Sequence, residues 1–129
     1  MAPVTEEQVL PRMRTICAKL PGTEEVVTYG HPGFKTAGRL YAVLEEYKKK
    51  LSLCVKVGVE GQDLFLKDPR YYLTPYIGKQ GWISLDVNAA PLDWTEVREL
   101  IVGSYKIVTK ERARRATSTR KRPRKRVTR

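Results

Sequence analysis

Histidine is nearly absent from this sequence: His31 is the only one in 129 residues. One imidazole leaves no second His for a metal pair or for orienting a base, and neither cysteine stands at a metal-like spacing from it. Only two cysteines occur, Cys17 and Cys54. Too few for a disulfide framework, they are expected as reduced thiols. No stretch approaches the roughly 18 apolar residues of a membrane span. The opening MAPVTEEQVL lacks the basic flank and apolar centre of a secretory signal. A cytoplasmic protein without membrane contact is the expectation. Walker, GxGxxG, GxSxG and HExxH signatures are also missing. GKQG at 78–81 is too short for a phosphate loop and joins two strand patterns, so it reads as a hairpin turn. These absences predict no catalysis, no cofactor and no metal.

Acid is scarce in one place only. Residues 109–129 hold 11 Lys or Arg and a single acid, Glu111, whereas residues 1–108 hold 14 basic and 13 acidic residues. Of the net charge of +11, +10 therefore belongs to a tail, and the body is nearly neutral at +1. The tail KERARRATSTRKRPRKRVTR has one branched aliphatic residue, Val127, and cannot bury enough surface to offset chain entropy. It is expected to be disordered, apart from a turn or two continuing the last helix.

Patterning organises the body, 1–108, as one domain. Thr5 and Gln8 form a capping-box pattern before Val9, Met13, Ile16, Cys17 and Leu20, predicting a helix over 6–20 with Pro11 kinking it or delaying its start. Strands are predicted at 34–37, 39–47 and 51–57, the last alternating Leu51, Leu53, Val55 and Val57 against Ser52, Cys54 and Lys56. A short helix closes at Pro69. A second hairpin follows, YYLTPYIG and GWISLDV, with Ile83, Leu85 and Val87 on one face and Trp82, Ser84 and Asp86 on the other. Asp93 caps a last helix whose stripe is Trp94, Val97, Leu100, Ile101, Tyr105 and Val108. The order α-β3-α-β2-α predicts an α+β two-layer sandwich, an antiparallel sheet with helices on one face.

LPGTEEVVTYGHPGFK, LSLCVK, DPRYYLTPYIGKQGW and the Ser104–Tyr105 pair, in this order and spacing, resemble the MmcQ/YjbR family over residues 5–108. The resemblance implies a CyaY-like, secretion-chaperone-like fold. It also implies DNA binding through a double wing of β-hairpins. It implies nothing about the basic tail, which lies outside the family pattern.

Three candidate sites follow. The first is the tail, where Arg112, Arg114, Arg115, Arg120, Lys121, Arg122, Arg124, Lys125 and Arg126 would release counterions on meeting phosphates, largely without regard to sequence. RPRKR resembles minor-groove hooks but lacks their central glycine arrangement. The second is the hairpin tips, with Lys48, Lys49 and Lys50 on one, Arg39 on another and Lys79 before Trp82. Lysines there serve edge protection equally well. The third is the uncovered sheet face, where Tyr41, Cys54, Lys56, Trp82 and Asp86 would receive a ligand or peptide, with His31 as a contact from the bend set by Gly30, Pro32 and Gly33. The leading expectation is a monomeric, non-enzymatic DNA-binding protein, nucleoid-associated if so, with RNA or another polyanion as the variant partner. The alternative is a ligand- or protein-binding module using the sheet face.

Overall fold

The computed structural model describes residues 3–127, with side chains through Arg114. Helix α1 spans Glu6–Cys17 and starts where Thr5 N–H donates to Gln8 Oε1 at 3.0 Å. Pro11 lies inside it and α1 closes at Ala18, shorter than the predicted 6–20. Six strands follow the order β1-β2-β3-β4-β6-β5, all antiparallel: β1 Thr23–Thr28, β2 His31–Thr36, β3 Arg39–Tyr47, β4 Lys50–Lys56, β5 Tyr71–Leu73 and β6 Trp82–Asp86. Helix α2, Gln62–Leu66, precedes β5, and α3 runs Trp94–Val127. The architecture is α+β, with an unclosed antiparallel sheet and the helices on one face.

Two predicted strands change. TEEVVT forms β1, a strand additional to the five predicted, at the sheet edge with Glu24, Glu25 and Val27 exposed. With neither face buried, it carries no clean alternation to read. YYLTPYIG is a strand only over Tyr71–Leu73, because Pro75 cannot donate to the ladder. Instead a connection containing the 3₁₀ turn Gly78–Gln80 leads to β6. It ends at Gly81, φ 96°, whose carbonyl accepts from the N–H groups of Val57 and Gly58. A Cβ there would lie 2.8 Å from Gly58 Cα, so only glycine permits the approach.

The predicted strand phases hold. Leu44, Leu53, Val55, Ile83 and Leu85 face the helices and pack with Met13, Cys17, Val97, Ile101 and Val108. The exception is β3. Between the pairs Phe34↔Ala42 and Lys35↔Leu40 it advances two residues while β2 advances one, so Tyr41 is an extra, bulged residue. The bulge turns Tyr41 into the helix-side core and leaves Leu40 on the opposite face, with Val43 and Trp82.

Helix α3 docks on that bulge. Ser104, buried, donates from Oγ to the Tyr41 carbonyl at 2.6 Å and accepts the Lys56 N–H at 2.9 Å. The Tyr105 ring meets Tyr41 edge-on, with centroids 5.2 Å apart, and its hydroxyl donates to the Pro21 carbonyl. Ser104 thus satisfies backbone far away in sequence, where only local bonding and packing were expected of it. The helix passes through Val108 without a break, so the boundary expected there is one of composition. Glu111 still belongs to the body, binding Lys56 Nζ at 2.9 Å and Arg39 at 3.7 Å. The disorder expected of the tail concerns residues that, from 115 on, lie outside the described side chains.

Removing the Ser104 hydroxyl should leave one buried N–H and one carbonyl unpaired. Ser104→Ala is expected to lower unfolding free energy by about 2–4 kcal/mol in denaturant titration. A loss under about 0.5 kcal/mol would mean that the two strands satisfy their own backbone without α3.

Candidate nucleic-acid interface

Antiparallel registry sorts the hairpin tips onto two ends of the sheet. The β1–β2 turn, Tyr29–Gly30, and the β3–β4 turn, Lys48–Lys49, lie at one end. The β2–β3 turn, Ala37–Gly38, lies at the other, with Arg39 beside it. Lys56 and the Gly78–Gln80 turn carrying Lys79 are also at that second end, where Glu111 meets the sheet. β3 alone separates the ends by about 26 Å, eight steps of strand rise. The predicted cations therefore form two groups, Lys48, Lys49 and Lys50 apart from Arg39, Lys79, Arg112 and Arg114.

At the first end, the β3–β4 turn puts positive φ on both central residues, 51° at Lys48 and 66° at Lys49. Such two-residue hairpins favour Asn-Gly, and each non-glycine residue in this region costs roughly 1–2 kcal/mol. The other two tight turns, Tyr29–Gly30 and Ala37–Gly38, do place glycine second. Lys48, Lys49 and Lys50 are exposed, and none has a carboxylate partner among the described residues. Lys48 Nζ lies 5.4 Å from the Tyr47 ring centroid and Lys50 Nζ 5.5 Å from that of Tyr72, while the two rings stack with centroids 6.4 Å apart. Tyr72 is held from behind, its hydroxyl 2.6 Å from Ser52 Oγ. The result is a stacked aromatic base under the ammonium groups of Lys48 and Lys50, with Lys49 beside them.

In the second group Arg39 is compensated within the body. Arg39 and Lys56 share Glu111, which removes Lys56 from any ligand face. Lys79 is exposed without an ion pair, as are Arg112 and Arg114 on α3. The predicted contacts Arg115, Arg120, Lys121, Arg122, Arg124, Lys125 and Arg126 lie outside the described side chains. Elsewhere Arg14 pairs with Glu25 at 2.8 Å, and Arg70 bridges Asp68 and Glu96 at 2.8 and 2.9 Å. The Arg70 hydrogen bonds hold both carboxyls below their usual range.

Over β3, β4 and β6 the sheet face opposite the helices is not open. Ile77 from the β5–β6 connection and Leu40 pack over Val43, Cys54 and Trp82, leaving Trp82 only 4% exposed. Gln62 pins that connection, donating from Nε2 to the Gly78 and Trp82 carbonyls. Beneath it Ser84 Oγ lies 3.2 Å from Cys54 Sγ and 3.0 Å from Thr74 Oγ1. Tyr41 is on the other side of the sheet, turned there by the bulge. Asp86 is half-buried and accepts the Asn88 N–H. His31, half-buried, pairs with Thr28 across the Tyr29–Gly30 turn. Of the predicted ligand-face set only Cys54 and Trp82 are thus brought together, and both are buried. Sequence alternation identifies the face of a residue but not whether a distant loop covers it.

No group of His, Cys, Asp and Glu among the described residues could hold a metal. Both thiols are free and buried, and desolvation pushes Cys54 up to about 12 and Cys17 to about 11. Among the described residues no helix is long and apolar enough to cross a membrane.

This geometry defines a small α+β domain with a one-sided helix layer and projecting tight hairpins. The YjbR family model matches residues 18–107, and the chain belongs to that family. The crystal structure of Deinococcus radiodurans protein DR2400, assigned to domain DUF419, is similar with a TM-score of 0.67 and 26% identity, 82% of each chain being covered. A Bacillus subtilis protein of the DUF1801 family shares the fold at a TM-score of 0.50 and 21% identity, over 74% of this chain and 73% of that one. No curated protein matches.

The burial of both thiols makes a direct chemical expectation. At pH 8 neither cysteine should react with DTNB in the native protein, and both should react on unfolding. Rapid native labelling of one thiol would show that the Thr74–Gly81 cover opens readily over Cys54, or that α1 lifts from Cys17.

Proposed function

We propose that the protein is a non-enzymatic nucleic-acid-binding protein that holds DNA through phosphate contacts, led by the basic segment after Glu111 and assisted by the Lys48–Lys50 hairpin. One observation carries this reading. Glu25, Asp68, Glu96 and Glu111 compensate Arg14, Arg39, Lys56 and Arg70 within the body, while the final segment has no acid after Glu111. Uncompensated Lys and Arg at that density attract a polyanion and release its counterions, giving affinity indifferent to sequence. The hairpin supports the reading separately. Two lysines occupy positions that glycine or asparagine would hold at lower conformational energy, a departure that favours a use outside folding. A ligand role for the far sheet face draws less support, because Ile77 and Leu40 pack over Val43, Cys54 and Trp82 there. The location consistent with this reading is the nucleoid.

Binding to a duplex measured against salt separates the two contributions. With about six phosphate contacts, log K should fall against log salt with a slope near −5. A chain ending at Glu111 keeps the Lys56 and Arg39 pairs and should show a slope shallower than −3 and far weaker binding. Equal slopes for the two chains would assign the contacts to the body, and no binding by either at low salt would end the DNA reading.

The hairpin has its own test. Lys48→Asn with Lys49→Gly should raise stability by about 1–2 kcal/mol by relieving the left-handed backbone. The same change should lower DNA affinity in the truncated chain by a few-fold and shift its salt slope by about 1–2. Higher stability with unchanged affinity would reduce the lysines to edge protection.

A further inference from the structure

We propose that the cleft between α1 and α3 binds a phosphorylated small molecule with a planar ring, of the nucleoside monophosphate class. The cleft has a volume of about 300 Å³ and is lined by Arg12, Thr15 and Ile16 of α1 and by Trp94, Thr95 and Arg98 of α3. Each helix contributes side chains three or four residues apart, so each presents them on one face.

The arginines distinguish this cleft from the rest of the body. Residues 1–108 contain five: Arg12, Arg14, Arg39, Arg70 and Arg98. Arg14, Arg39 and Arg70 are each ion-paired with a carboxylate. Among the described residues Arg12 and Arg98 have no such partner, and both belong to the cleft. In a body with nearly as many acids as bases, the two guanidiniums left uncompensated converge on one cavity.

The lining chemistry specifies the ligand. The Arg12 guanidinium lies 4.2 Å from the Trp94 ring centroid, which anchors a flexible side chain at the cleft edge. Two unpaired guanidiniums offer charge-assisted bonds to phosphate oxygens. Thr15 already donates its hydroxyl hydrogen to the Pro11 carbonyl, so it offers a ligand acceptor lone pairs, as a sugar hydroxyl requires. The indole and Ile16 supply apolar surface for a ring. Asp93, beside the cleft in sequence, is occupied in accepting the N–H groups of Thr95 and Glu96. The volume is at the small end of ligand sites, suited to one nucleotide and not to a dinucleotide. The site is independent of the proposed polyanion contacts, none of which lines it.

The test is NMR titration of the full-length chain with AMP, adenosine and inorganic phosphate, following the Trp94 indole N–H. AMP should shift that signal saturably, and adenosine and phosphate should each bind at least about tenfold more weakly. Arg12→Ala and Arg98→Ala, both exposed positions, should each weaken AMP about tenfold while leaving the thermal midpoint unchanged. AMP binding that leaves the Trp94 signal in place, or that survives the double variant, would belong to the basic segment and overturn the proposal. So would equal affinity for adenosine and AMP, or for phosphate and AMP.

Discussion

The Ser104 hydroxyl, shared between the Tyr41 carbonyl and the Lys56 N–H, is the contact on which the arrangement of this domain turns. A bulge in β3 disturbs its ladder at Tyr41, and disturbed ladders leave backbone groups in need of partners. Ser104 supplies one group that both donates and accepts, and so joins β3, β4 and α3 at a single buried point. Its neighbours on the same helix face are Ile101 and Val108, which fill the core, and Glu111, which gathers Lys56 and Arg39. Placing Ser104 therefore sets the helix over the sheet at both the apolar and the ionic contacts. The bulge also swings Tyr41 toward Cys17, Tyr105 and the Thr23 hydroxyl, 2.6 Å away, which ties the β1 edge to the core.

Charge in the body follows from that frame. Arg14, Arg39, Lys56 and Arg70 each face a carboxylate from another element or a nearby loop, so the folded part presents little net field. Exposed pairs of this kind contribute little stability singly. On the proposed reading their larger effect is on recognition, since a compensated body would not compete for polyanions with the segment after Glu111. Among the five arginines of residues 1–108, subtraction leaves Arg12 and Arg98, which both line the cleft between the helices.

Much of this was legible in the sequence, and the remainder shares one physical reason. Leu51, Leu53, Val55, Ile83 and Leu85 alternate because one sheet face is buried under helices, and Asp93 caps α3 with bonds to Thr95 and Glu96. These are local signals. The bulge at Tyr41 has none, for neither Leu40 nor Ala42 is a residue that marks a bulge, and strict alternation assigns Tyr41 to the wrong face. The cover over Trp82 depends on Ile77 returning across the sheet and on Gln62 holding it, contacts between segments that sequence periodicity does not relate. The Arg12–Trp94 contact joins residues 82 positions apart, and without a sheet between them no pattern in either helix indicates it.

TYGHPGFK shows how the same limit bears on function. Its histidine invites a catalytic reading, yet the Thr28↔His31 pair makes it the first residue of β2, beside a turn in which Tyr29 and Gly30 both have positive φ and glycine takes the second position. The β3–β4 turn has the same backbone with Lys48 and Lys49 in place of Tyr29 and Gly30. Comparing the two turns is more informative than either alone, because the conformational demand is equal and only the chemistry differs. Where glycine relieves the strain, the turn is explained by folding. Where two lysines keep it, the backbone conformation offers no reason for the choice, and the contact proposed outside the chain does. On the proposed reading that contact lies about 26 Å from the end where α3 meets Arg39. Tip and tail would then act as two linked weak sites, the second made effectively intramolecular by the first. Such an arrangement favours long polyanions over short ones without any residue reading a base.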